Sequence, residues 1–140
     1  PNPPDIYACA RLIHIAQEIA QPARDANGPI IISSGFRSPL LNMAVGGSPT
    51  SAHMLGAALD LVPKLICVAS LALWIFDTCP AWDKLIYERN GRGFEWVHVS
   101  LYPPGSAPNR GELRRHFPRD GRSYPHINRA QLAAWACARS

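Results

Sequence analysis

A carboxylate set inside an apolar run constrains this chain more than any other feature. Asp60 lies in Ala57-Ala58-Leu59-Asp60-Leu61-Val62, which reads as a strand prone to burial. A buried carboxylate is costly unless it is paired or holds a metal ion, so the fold has to carry a partner to it. Two histidines are the candidates. His53 follows a glycine- and serine-rich loop and precedes Gly56, a setting that lets backbone approach a site closely. His98 ends Glu95-Trp96-Val97-His98; alone in an apolar strand it reads as a core histidine, and it gains weight only beside the other two. Two imidazoles and one carboxylate leave a fourth position on zinc open, as a hydrolytic site needs. A second carboxylate nearby can take a proton from water. These residues suggest a metal-dependent hydrolase.

The chain has 140 residues, which suits a single domain over 1–140 with its own core. An apolar share of 47% and a charged share of 17% exclude a disordered tail. No apolar stretch is long enough to span a bilayer, since the best candidate, Leu65 to Phe76, has the length of a buried helix. The net charge of +4 comes from twelve Arg and two Lys, with five of the arginines between Arg110 and Arg122. Such a face can hold nucleic acid, an anionic glycan-peptide polymer or solvent. No nucleic-acid motif accompanies it, so no nucleic acid is expected. The four cysteines form no CxxC pair, which excludes a zinc ribbon and leaves free thiols as the expectation.

Along the chain, residues 1–5 read as an extended lead-in. Helical spacing runs from Asp5 to Asn27, with Pro22 expected to kink or divide the helix. Ile30 to Ser33 reads as a short buried strand, and Leu40 to Val45 as a short helix. Gly46 to Ser51 is the most flexible stretch by composition. Strands are expected at 57–62, 84–88 and 96–101, and helices at 64–78 and 128–139, with 103–127 an arginine-rich irregular segment. Helices and short strands alternate irregularly, so the fold class is α+β.

Five segments appear in order: Ser33-Ser34-Gly35-Phe36-Arg37-Ser38, Asn42 to Ser48, Ser51-Ala52-His53, Gly56 to Leu61, and Trp96-Val97-His98-Val99-Ser100. Together they resemble the zinc D-Ala-D-Ala carboxypeptidase and L-alanyl-D-glutamate endopeptidase family, which includes phage endolysins. The resemblance runs from about Ile6 to Glu112 and is strongest to short phage and prophage members. It implies a small, mainly antiparallel sheet that carries one zinc ion and is flanked by helices, as in hedgehog and DD-peptidase folds. It makes His53, Asp60 and His98 the ligands. Glu95 falls on the catalytic-base position by its Glu-x-x-His spacing, Arg37 on a substrate-positioning arginine, and Ser51 on a substrate-binding serine.

Alternation along a strand sets His98 and Ser100 on one face and Glu95 on the other. Glu95 must therefore precede the regular strand or sit on a bulge to reach the metal, and Glu88 is the alternative acid. Asn109-Arg110 is expected to border the cleft, while His14, His116 and His126 are expected to be structural or solvent-facing. The implied activity is hydrolysis of a peptide bond in the peptidoglycan stem peptide by a monomeric endolysin-type endopeptidase. The alternatives are a D-Ala-D-Ala carboxypeptidase and an inactive, zinc-containing wall-binding protein. The expected place of action is the bacterial cell wall or periplasm. The chain starts at Pro1 with no signal peptide, so delivery is expected from the host cytoplasm on lysis or in the virion.

Overall fold

In the computed structural model, which describes residues 1–138 apart from the side chain of Cys137, five strands build one sheet. They are β1 (Ile30–Ser34), β2 (Ala58–Pro63), β3 (Lys84–Arg89), β4 (Glu95–Ser100) and β5 (Glu112–His116), in spatial order β1-β2-β4-β3-β5. β1 pairs with β2, β2 with β4, and β4 with β3, all antiparallel, while β5 joins β3 in parallel. The architecture is α+β with a mixed sheet. The helices are α1 (Ile6–Ile15), α2 (Gln21–Asn27), α3 (Pro39–Ala44), α4 (Val68–Thr78) and α5 (Arg129–Cys137).

Successive strand residues point to opposite faces, and that alternation divides the molecule. Leu59, Leu61, Leu85, Tyr87, Val97, Val99 and Leu113 form the core face, packed against Ile15, Ile19, Leu71, Ile75 and Leu132 of the helices. Burying each such side chain stabilises the fold by roughly 1.5–3 kcal/mol. The residues between them, Asp60, Lys84, Ile86, Glu88, Trp96, His98, Ser100 and Arg114, face a cleft.

Local signals set the helix limits. Asp5 accepts a hydrogen bond from the Ala8 N–H at the start of α1, and Asn128 and Gln131 form a capping box on α5. The first helix divides as expected of Pro22, with a π-helical turn over Ala16–Ala20 before α2. α4 starts at Val68 rather than 64, because Cys67 is its N-cap and its sulfur accepts from the Ser70 N–H. α5 matches the expected closing helix; residue 139 lies outside the described residues.

Two expectations need correction. β1 is a sheet edge, not a buried strand: Ile31 and Ile32 are 45% and 51% exposed because β1 is the outermost strand of the sheet. The arginine-rich segment is not wholly irregular, since Glu112–His116 forms β5 with Leu113 turned into the core. A run of charged residues hid that strand, in which Leu113 supplies the core contact. Among the described residues no helix is long and apolar enough to cross a membrane. Cys9, Cys67 and Cys79 are free thiols.

Candidate metal centre

The site grows from one row of paired residues across the sheet. Ser34 lies opposite Asp60, Asp60 opposite His98, and His98 opposite Ile86. A bulge between Ile32 and Ser34 shifts the β1 register by one residue, which brings Ser34 into this row. His53 arrives from outside the sheet, on a single 3-10 turn over Ala52–Leu55. Ser51 caps that turn, its hydroxyl accepting from the His53 N–H at 3.3 Å. Gly56 ends the turn at φ +71°, where a side chain would also collide with the Ala8 carbonyl oxygen, so only glycine lets α1 pack this close.

These placements converge three ligand atoms. His53 Nε2 is 3.2 Å from Asp60 Oδ1 and 3.2 Å from His98 Nδ1, and His98 Nδ1 is 3.0 Å from Asp60 Oδ1. Tetrahedral coordination with bonds of about 2.0 Å spaces neighbouring ligands about 3.3 Å apart, so this triangle has the size of one face of such a polyhedron. The tautomer fits as well. His53 Nδ1 lies 2.7 Å from the Gly35 carbonyl oxygen, which can only accept; Nδ1 therefore carries the proton and Nε2 turns a lone pair toward the carboxylate. Two lone pairs facing each other in a buried site call for a cation between them. The donor set fits a divalent ion. Among the described residues, His53, Asp60 and His98 form the one cluster of this kind.

The protonation states agree. Burial would raise the Asp60 carboxyl, but its close contacts with the His53 and His98 imidazoles outweigh it and hold it well below the usual carboxylate range. Burial lowers His98, which keeps its imidazole neutral and available as a ligand, against the opposing pull of Asp60. Arg37 secures the far side of the carboxylate: Nη2 donates to Asp60 Oδ2 at 2.6 Å, and Nε donates to Ser34 Oγ at 2.8 Å.

The profile of the family described as Peptidase M15 matches residues 6–100, about two thirds of the chain. The chain belongs to the peptidase M15 family. No curated protein matches it significantly. As an M15 peptidase domain, it contains Arg37, Ser51, His53, Asp60 and His98 within the matched span, and all five line one cleft of about 410 Å³.

Glu95 is not in that cleft. It pairs with Arg89 at the regular start of β4, with no bulge to turn it, and alternation sends it to the core face. There its Oε1 accepts from Tyr87 Oη at 2.8 Å and from Arg89 Nε at 2.6 Å. The expectation that Glu95 reaches the metal therefore does not match the geometry. Glu88 does line the cleft, diagonal to His98 across the β3–β4 pair. Burial first and then the Asp60 charge push its carboxyl up to about 8, with Arg37 opposing. Among the described residues it has no hydrogen-bond partner.

The rest of the cleft contains groups that the sequence did not single out. Lys84, Tyr102, Arg114 and Tyr124 form walls, the last three from beyond the matched span. The signal for Lys84 and Glu88 was present in their alternation with the apolar Leu85 and Tyr87. The glycine-rich stretch is ordered into another wall, with Asn42 Nδ2 donating to the Ser48 carbonyl at 2.8 Å. A Cβ on Gly47 would strike the Asn42 amide, so that wall depends on glycine there. Asn109 and Arg110 stand one step behind the cleft: Asn109 holds the Tyr102 backbone, and Arg110 forks onto Asp83. His116 stacks on Tyr124, and neither His14, His116 nor His126 joins the metal cluster.

Proposed function

We propose that the chain is a zinc-dependent peptidase that hydrolyses a peptide bond in the peptidoglycan stem peptide, as an endolysin-type endopeptidase. The observation that carries this reading is Glu88, a buried acid whose carboxyl has no hydrogen-bond partner among the described residues, in the same cleft as the His53–Asp60–His98 triangle. Membership of the M15 family and an open cleft of peptide dimensions support the substrate class.

A bound zinc ion supplies Lewis acidity at the triangle. Glu88 takes the proton of the attacking water and returns it to the leaving amine, a role suited to an acid whose pKa lies near neutrality. Arg37 stays charged throughout, and with Nε and Nη2 committed to Ser34 and Asp60 its Nη1 is left for a substrate carbonyl or carboxylate. Ser51 orients the His53 turn and offers its hydroxyl at the cleft wall.

The test is digestion of purified peptidoglycan by the zinc-loaded protein, with mass spectrometry of the new termini and metal analysis of the same sample. An internal stem-peptide cut is expected. Release of D-Ala alone would make the protein a carboxypeptidase, and no product with zinc bound would make it a wall-binding protein.

A further inference from the structure

The cleft floor has three successive rows where β4 meets β3: Ser100 with Lys84, His98 with Ile86, and Trp96 with Glu88. Lys84 and Glu88 thus flank the row of the metal triangle, each two residues, or about 7 Å, along the strand from Ile86. Lys84 is half-buried and lines the cleft.

The neighbouring carboxylates are already engaged. Both oxygens of Asp83 accept from the Arg110 fork, at 2.7 and 2.8 Å. Glu112, opposite Lys84 on β5, holds Arg114 at 3.0 Å and Arg110 at 3.5 Å. The Ser100 hydroxyl accepts the backbone N–H of Lys84 and donates to Asp83. Among the described residues the Lys84 ammonium has neither an ion-pair partner nor a hydrogen-bond acceptor. It is a cation facing a substrate cleft whose local anions are committed to arginines.

Resting on the peptidase reading, we infer that Lys84 recognises a substrate carboxylate, so the preferred substrate is an acidic peptide. Its free carboxylate lies one or two residues from the bond cut, on the side away from Glu88. Lys84 selects the substrate and takes no part in the proton transfers. An ammonium with three donors suits this role, because it accepts a carboxylate over a range of approach angles.

The experiment compares two synthetic peptides that contain L-Ala-γ-D-Glu, one with the free α-carboxylate and one with a carboxamide there. Zinc-loaded protein should prefer the carboxylate peptide by about tenfold or more in kcat/KM, expressed in KM. Lys84→Met should remove that preference and leave the carboxamide peptide within about twofold, while Lys84→Arg restores most of it. Equal losses on both peptides, or no preference in the unaltered protein, overturn the inference.

Binding of the same peptides to zinc-loaded Glu88→Gln protein, followed by calorimetry, needs no turnover and separates the two claims. Lys84-dependent binding of the carboxylate peptide, without cleavage by the unaltered protein, would sink the reaction and keep the recognition. Equal binding of both peptides, or binding of neither, would overturn the recognition.

Discussion

On the cleft face of the sheet Glu88 is buried with no partner among the described residues, and its carboxyl is pushed up to about 8. On the core face, across the same β3–β4 pair, Glu95 is held by Tyr87 and Arg89 within 2.8 Å. The two side chains are chemically identical and sit in strands bonded to each other. One is left in an environment that penalises its charge; the other is fixed by donors beside the core. Satisfied acids belong to scaffolding and unsatisfied ones to chemistry, because an unpaired buried carboxyl persists only where something else gives it a use.

The strongest way to break this comparison is to neutralise each acid in turn. Glu88→Gln should lower peptide hydrolysis by roughly a thousandfold, with zinc content unchanged. Glu95→Gln should stay within about tenfold of the unaltered protein. The reverse pattern, in folded protein by circular dichroism, would return the base to Glu95.

Metal removal comes next. Chelation should lower the thermal midpoint, and zinc at a hundred times its Kd should restore about 2.7 kcal/mol. His98→Ala should abolish that restoration, whereas Glu95→Gln should keep it. A midpoint indifferent to zinc would count against the triangle as a metal site.

A pH titration then sharpens the contrast. The folded metal-free protein holds the Glu88 proton up to about 8, against the ordinary value of 4.5. Between those values the folded state binds more protons than the unfolded one. The stabilisation from Glu88 is therefore complete below pH 4.5 and is lost as pH rises through about 8. Urea unfolding should show up to about 5 kcal/mol lost over that window. The slope should vanish in Glu88→Gln and persist in Glu95→Gln. A flat profile in metal-free protein would show that Glu88 is not in a charge-penalising site.

The smallest effect belongs to the scaffold. Glu95→Gln should cost about 1–3 kcal/mol in urea unfolding, since it weakens charged hydrogen bonds to Tyr87 and Arg89. An unchanged midpoint would leave Glu95 without the structural role assigned to it.

Much of the site is legible in the sequence. Asp60 announced itself as a carboxylate in an apolar run, and His53 and His98 were marked by residue type and short-range context. The β1 edge and β5 were not, because exposure depends on which strands become neighbours and one buried leucine among arginines leaves no periodic signal. The alternation that separates Glu95 from His98 was also visible, but whether a bulge would overcome it was not.

The sequence by itself determined the His53, Asp60 and His98 candidates and the α+β class, because metal chemistry selects residue types and local periodicity selects elements. Only the tertiary structure decided which acid shares the cleft of the His53–Asp60–His98 triangle. That choice follows from the pairing of β3 with β4, which sets Ile86 opposite His98 and turns Glu88 in and Glu95 away. Register is a long-range property, fixed by burying Leu85, Tyr87, Val97 and Val99 together, and no spacing within one segment encodes it.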